Sequence, residues 1–419
     1  MKNFRQTQRL ATLVVAGLML FSCSSDDDTN PIDDDPIIEL PPIVLDCDYF
    51  SEDRVLTDDP QRPVDYVITC YANVQGSLKI EPGVVIEFEN HAGLRVNLNS
   101  KVFEIKGTAT NPVILTGTSK QKGHWRGIFL TEAHNQNNLI EHTVIEYAGS
   151  QNLTETSPIY EGSLAIRGVS GTTPQALHLN HVEIKNGGSI GLDYHRLEKN
   201  ATVSTSNLTI TGNEGVPVKV SAEMAHIFNN TSSYAGNTSD FFNITPSYYG
   251  IEDQTVSWKK LDVPYLVDSR VHIKNDGHLT IEAGVEMQFK PGGYIQPYDG
   301  STAGGNNLSL KIQGTADNPV HLKAYNGTNW GGIMFGFTQE NNVIDHAIIE
   351  NAKGDFPVGN HQNTGAIYMH ASPKLSVSNT TFKDLENCAF YSPYGADYFD
   401  NLTVTNVTFD NVAEEYCHN

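Results

Sequence analysis

The 419-residue chain has no apolar run long enough to cross a bilayer. The best stretch, Leu10 to Phe21, is broken by Thr12 and Gly17 and falls well short of the ~20 residues a spanning helix needs. After it no helical period recurs, so the body reads as nearly all β. Positive charge is scarce: 27 Lys and Arg stand against 49 Asp and Glu, for a net −22. That balance argues against nucleic acid, whose phosphates require clustered cations. There are only five cysteines, with no CxxC pair and no ordered His spacing, so no zinc site is expected and no other metal or cofactor is called for. Nor is there a phosphate-cradling glycine loop.

What is present begins with a basic head, Lys2, Arg5 and Arg9, ahead of the short apolar run. This is the pattern of a secretory signal peptide, assigned to residues 1–22. The run ends Leu20-Phe21-Ser22-Cys23, which resembles a bacterial lipobox, although Phe21 replaces the usual small residue. Ser24-Ser25-Asp26-Asp27-Asp28 follows and is similar to the export signal of surface lipoproteins of the Bacteroidota. The resemblance implies a lipidated Cys23, attachment to the outer membrane and display on the cell surface. Two or more acyl chains hold a protein stably where one does so only marginally. Residues 24–59 carry thirteen acids against Arg54 alone, with Pro31, Pro36, Pro41 and Pro42. Residues 23–59 therefore read as a solvated acidic tether rather than a calcium site.

Four cysteines remain: Cys47, Cys70, Cys388 and Cys417. An exported protein can keep disulfides. The simplest pairing is Cys47–Cys70 and Cys388–Cys417, each worth ~3 kcal/mol by chain entropy, although four cysteines permit three pairings.

The body repeats itself at an offset near 200. Ser77-Leu78-Lys79-Ile80-Glu81-Pro82-Gly83-Val84 returns as His278-Leu279-Thr280-Ile281-Glu282-Ala283-Gly284-Val285. Gly107-Thr108-Ala109-Thr110-Asn111-Pro112-Val113 returns as Gly314-Thr315-Ala316-Asp317-Asn318-Pro319-Val320, and Trp125-Arg126-Gly127-Ile128 as Trp330-Gly331-Gly332-Ile333. Asn137-Asn138-Leu139-Ile140-Glu141-His142 returns as Asn341-Asn342-Val343-Ile344-Asp345-His346. The halves are assigned to residues 60–250 and 251–419. Short apolar alternations separated by Gly, Asn, Asp and Pro fill both. Such strands suit a parallel coil whose turns cover one another's apolar edges, with Asn stacking in ladders at the corners. The Leu-x-Ile-Glu-x-Gly-Val, Gly-Thr-x-x-Asn-Pro-Val and Trp-x-Gly-Ile segments resemble the right-handed parallel β-helix repeat proteins of bacterial surfaces. The resemblance implies an all-β, right-handed parallel solenoid in two duplicated halves. A pair of β-sandwiches is the main alternative and would need hairpin turns, for which Asn186-Gly187, Asp276-Gly277 and Asn326-Gly327 are the candidates.

The repeat also separates scaffold from function. Trp125 and Trp330, Gly127 and Gly332, His142 and His346, and Glu146 and Glu350 recur, as residues the coil itself requires would. His124 and Arg126 do not: Asn329 and Gly331 stand in their places. His124, Trp125 and Arg126 are thus candidates for contact with an acidic sugar, Arg126 by a bidentate grip on a carboxylate. A second candidate cluster is Tyr391, Tyr394 and Tyr398, beside Phe399, with a looser set at Tyr294, Tyr298 and Asp299. These rings either stack on sugars or plug the end of the solenoid.

The β-helix fold also hosts polysaccharide lyases and pectin-type hydrolases. The Asn-Thr-Asp, Gly-His-Gly and Arg-Ile-Lys motifs of galacturonan hydrolases are absent, and no catalytic residue is assigned. The expectation is non-catalytic binding of a glycan or a surface protein. A polysaccharide lyase, or another carbohydrate-active enzyme, and a structural adhesin or spacer are the alternatives.

Overall fold

The structure, a computed structural model, describes residues 39–168, 173–246, 249–298, 307–338, 341–370 and 373–419. The signal segment, Cys23, the acidic run after it and Asp299 lie outside the described residues, as does the side chain of Tyr398. No helix among the described residues is long and apolar enough to cross a membrane.

The described residues form a parallel β-helix. Each turn carries three short strands on three walls. Leu78–Ile80, Val85–Phe88 and Gly93–Asn99 make one such turn. The next turn, Phe103–Lys106, Val113–Gly117 and Gly127–Ala133, pairs with it strand by strand, all parallel. Every ladder between strands of the described residues is parallel, so the sandwich alternative is excluded. The candidate hairpin dipeptides are instead turns between parallel strands. One isolated antiparallel bridge, Phe356 with His361, occurs in a surface loop.

The sequence alternation sets which side chains turn inward. In Leu78-Lys79-Ile80 the two aliphatic residues are buried and Lys79 is exposed. Stacked inward residues build one continuous core from Leu45 to Phe390. Corners are made by residues at positive φ: His142, His181 and Asn207 in the first half, His346, Asn379 and Asn406 in the second. Asn is among the residue types that best tolerate this region. Their amides form the expected ladder, with Asn406 Nδ2 donating to Asn379 Oδ1 (2.7 Å) and Asn379 Nδ2 to Asp345 Oδ1 (2.9 Å). His142 and His346 are thus corner residues, and the rings of His142 and His181 stack at 4.5 Å.

Two further repeated residues have clear physical roles. Asn138 is fully buried; its amide accepts from Phe103 N on the preceding turn (2.9 Å) and donates to Ala176 O on the following one (3.1 Å). Asn342 does the same between Leu310 N (2.9 Å) and Lys374 O (2.8 Å). Loss of either amide would strand a buried backbone group, at ~1–3 kcal/mol. Gly127 and Gly332 sit at φ 121° and 106°, where an added Cβ would meet Gly162 O at 2.8 Å and Ala366 O at 2.3 Å.

The two halves stack without a break. Phe242–Thr245 pairs with Val218–Ser221 of the first half and with Tyr265–Val267 of the second. Tyr265–Val267 holds the place in the repeat of Tyr66–Ile68, a different wall from the one it continues. The second half is therefore turned by one wall relative to the first. Both disulfides of the simplest pairing are formed, Cys47–Cys70 and Cys388–Cys417. The coil also begins earlier than the sequence implied. Ile43–Leu45 and Arg54–Leu56, inside the segment read as tether, pair with Tyr66–Ile68 and Leu78–Ile80. Leu45, Phe50 and Leu56 are buried, which gives this acidic stretch a core to join.

Candidate functional site

Trp125 is fully buried, stacked on Phe88 with centroids 4.1 Å apart and planes 7° apart. Its Nε1 donates to Glu146 O (2.7 Å). It forms an internal shelf and is not available to a ligand, a correction to its candidacy. Trp330 repeats the arrangement on Phe289 (4.0 Å, 12°) with Nε1 on Glu350 O (2.9 Å). His124 and Arg126, on either side of Trp125, part company. His124 bonds Thr118 Oγ1 through Nε2 (2.9 Å), and burial, helped by His91 and Lys120, lowers its pKa. Arg126 instead donates from Nε to Asn152 O (2.7 Å), with its guanidinium 4.3 Å from the centroid of the Tyr71 ring.

Arg126 borders a cavity of about 310 Å³ that also brings together Tyr71, Arg95, Phe129, Tyr160 and Arg167. Its back wall takes Arg95 and Phe129 from an outward-facing row set by the parallel register, which continues past the cavity through Ala165 and Asp193 to Lys219. Its cover is a flap around residues 150–160. Leu153 and Tyr160 of the flap pack on Phe129 and Ala165. The flap is held by Leu153 N to Tyr160 O (2.7 Å), Tyr160 N to Thr154 Oγ1 (2.9 Å) and Tyr71 OH to Leu153 O (3.1 Å). Burial pushes the Tyr71 hydroxyl up to about 12, against the pull of Arg126 and Arg95, so it stays a neutral donor. Arg95 and Arg167 are exposed at the cavity rim, as is one acid, Glu155. Arginine ion pairs lie elsewhere, Arg54 with Glu52 and Arg62 with Asp59; among the described residues Arg95, Arg126 and Arg167 have none. Three unpaired guanidinium groups around one concavity suit a carboxylate or sulfate.

Beside this cavity lies a group the sequence reading missed. Asp193 is fully buried, and its carboxylate accepts from Glu161 N (3.2 Å), His195 N (3.1 Å) and His195 Nδ1 (2.6 Å). The His195 ring lies 4.4 Å from that of Tyr160. Ala165 pairs with Asp193, and this ladder ends there, with Arg167 and His195 just past the ends of the two strands. The two turns still approach closely beyond the ladder, where a Cβ on Gly168 would meet Arg196 O at 1.7 Å. The available signal was an outward i, i+2 pair, Asp193 and His195, on one strand edge. The string Gly187-Gly188-Ser189-Ile190-Gly191 has the spacing of a nucleophile elbow, but it links the strands Ala176–Lys185 and Leu192–Tyr194, with no helix after it.

The tyrosine cluster separates. Tyr391 packs against a buried group of Tyr294, Met334, Phe356 and Tyr368 and donates from its hydroxyl to Asn419 Oδ1 (2.9 Å). Tyr394 is 55% exposed, its ring 5.2 Å from His370. Phe399 packs on the core, edge-on to Tyr416, as an end plug would. Of the looser set, Tyr294 is buried and not open to a sugar.

No family model and no curated protein matches this chain. Among solved structures it is similar to the A-module of mannuronan C-5 epimerase AlgE4 of Azotobacter vinelandii. That match has 11% identity over 84% of this chain and 88% of that one, with a TM-score of 0.22. It is also similar to the catalytic domain of Agl-KA, at 12% identity over 84% of this chain and 62% of that one, with a TM-score of 0.21. Scores this low carry no argument about fold or activity.

Proposed function

We propose that this protein is a cell-surface lipoprotein that captures an acidic glycan in the arginine-lined cavity of its first half. The carrying observation is the gathering of Arg95, Arg126 and Arg167, without ion-pair partners among the described residues, in a chain of net charge −22. A carboxylate-bearing sugar is the ligand class that fits, because the guanidinium plane matches a carboxylate fork. About 310 Å³ holds a short stretch of sugar rather than a long one. In the same reading the coil is right-handed, as parallel crossovers nearly always are, and its halves arose by duplication. Acyl chains on Cys23, behind a signal peptide at residues 1–22, hold it on the outer membrane.

Titration of the full chain with polygalacturonate and polymannuronate oligomers, against a neutral glucan, tests the ligand. Arg126→Ala is expected to weaken binding roughly 10–100-fold, the ~1.5–3 kcal/mol of a hydrogen bond to a charged group. Equal binding of the neutral glucan, or an unchanged affinity in Arg126→Ala, sinks the reading. The anchor is tested separately: Cys23→Ala should move the protein out of the detergent phase.

A further inference from the structure

We propose that the second half carries a binding site of its own, a strip of aromatic rings on the outer surface that takes an uncharged glycan chain laid along the coil. It is independent of the arginine cavity. Four rings form the strip: Tyr298, Phe337, His370 and Tyr394. They come from four successive turns, each just past the end of a strand of one wall. Backbone bonds carry the stack to that point, Gly336 N donating to Pro297 O (3.0 Å) and His370 N to Phe335 O (2.9 Å). Each ring meets the next. Centroids lie 6.1 Å apart for Tyr298 and Phe337, 5.1 Å for Phe337 and His370, and 5.2 Å for His370 and Tyr394. Tyr394 is exposed and the other three are half-buried, so the strip reaches solvent along its length.

The coil does not ask for these rings. Ile128 pairs with Leu164 in the first half as Ile333 pairs with Ile367 in the second. Counting on from those pairs, Glu132 and Arg167 stand where Phe337 and His370 do. The backbone is also cut to fit the strip. A Cβ on Gly336 would meet Tyr298 Cδ2 at 1.5 Å, and Gly336 is not in the left-handed region. The glycine therefore serves the ring of the preceding turn and not its own φ. An uncharged sugar chain fits these features. Aromatic faces pack on the C–H faces of sugar rings, and Tyr and His add polar edges for hydroxyls. Turns of the coil recur every ~4.8 Å, close to the length of one sugar unit, so an extended chain meets a new ring at each unit. The rings brace one another, Phe337 and His370 edge to face at 89°, which leaves little side-chain freedom to lose on binding. Burial, then the neighbouring His361, lower the pKa of His370, so at neutral pH the strip presents uncharged rings.

Calorimetry of the full chain with xylohexaose and mannohexaose tests the strip. Wild type is expected to bind at least one of them. Tyr394→Ala should weaken that binding roughly 5–20-fold, and Tyr394→Phe, which keeps the ring, should stay within about twofold. Tyr394 is exposed, so neither change should move the denaturation midpoint. Gly336→Ala, which displaces the Tyr298 ring, should weaken binding in the same direction. Arg126→Ala should leave it unchanged, and polyuronate binding should not respond to Tyr394→Ala. No binding of either sugar by the wild type, or binding that Tyr394→Ala keeps in full, overturns the strip and leaves the cavity reading standing. Binding lost in Arg126→Ala in place of Tyr394→Ala would put the uncharged sugar in the cavity and overturn the strip as well.

Discussion

The two halves carry a flap over the outward side of corresponding walls and use it differently. In the first half the flap covers the row Arg95, Phe129, Ala165 and leaves a cavity with cations at its rim. In the second half the corresponding flap, around residues 354–362, packs its Phe356 with Tyr294, Met334 and Tyr368. There Phe356 fills the space, with its ring 5.8 Å from Tyr294 and 5.7 Å from Tyr368, and a cleft of about 180 Å³ remains. Arg270 stands where Tyr71 does, and Gly331 where Arg126 does. The inner side of the wall differs little: Trp125 on Phe88 and Trp330 on Phe289 are nearly superimposable in their geometry. The coil constrains what points inward and leaves the outward row free, and among the described residues of this wall it is the outward row whose chemistry differs.

The largest effect tests the shared part. Trp125→Ala and Trp330→Ala should each cost ~3–5 kcal/mol, read from denaturant midpoints, because each empties a stacked interior site. Unequal losses would mean that the two shelves are not equivalent. A smaller effect tests the divergent part. Gly331→Arg places in the second half the arginine proposed to grip the ligand in the first. Its Cβ would meet Asp355 O at 2.7 Å and Tyr294 Cβ at 2.9 Å. It should therefore lose ~1–3 kcal/mol by overpacking and gain no polyuronate affinity by calorimetry; a gain would show that the aromatic filling yields easily.

The smallest effect concerns the seam between the halves. Lys199 of the first half reaches Glu252 (3.4 Å) and Asp253 (2.9 Å), and Lys274 of the second reaches Glu252 (3.0 Å). Partial burial raises the pKa of Glu252, but hydrogen bonds from Lys274 and Asn275 and the charges of both lysines outweigh it and leave the pKa lowered. A carboxylate with a lowered folded-state pKa stabilises above the ordinary glutamate range and loses that contribution as pH falls through its folded value. Midpoints measured down that range should fall by ~1 kcal/mol or less. The fall should be smaller in Glu252→Gln, and an identical fall in both would assign it to other groups.

Much of the fold was legible in residue strings. The repeated glycines, asparagines and tryptophans announced positions that the coil needs, and the cysteine pairing followed from proximity in the chain. Arg126 was legible because its half alone carries it. Trp125 was misjudged because burial inside a solenoid is not written in a residue's neighbours. The tether boundary was misplaced because composition marked residues 43–56 as acidic while their alternation already matched the ladder they join. Arg95, Arg167, Tyr160 and His195 were not singled out at all.

By itself, then, the sequence determined the strand-and-corner rhythm, which depends on side chains one or two positions apart and is local chemistry. Only the tertiary structure decided the site. In a parallel coil, neighbours across a wall are separated by a full turn of chain: Arg95 meets Phe129 and Ala165 meets Asp193. The lengths of the intervening loops fix those meetings, and no short motif encodes them.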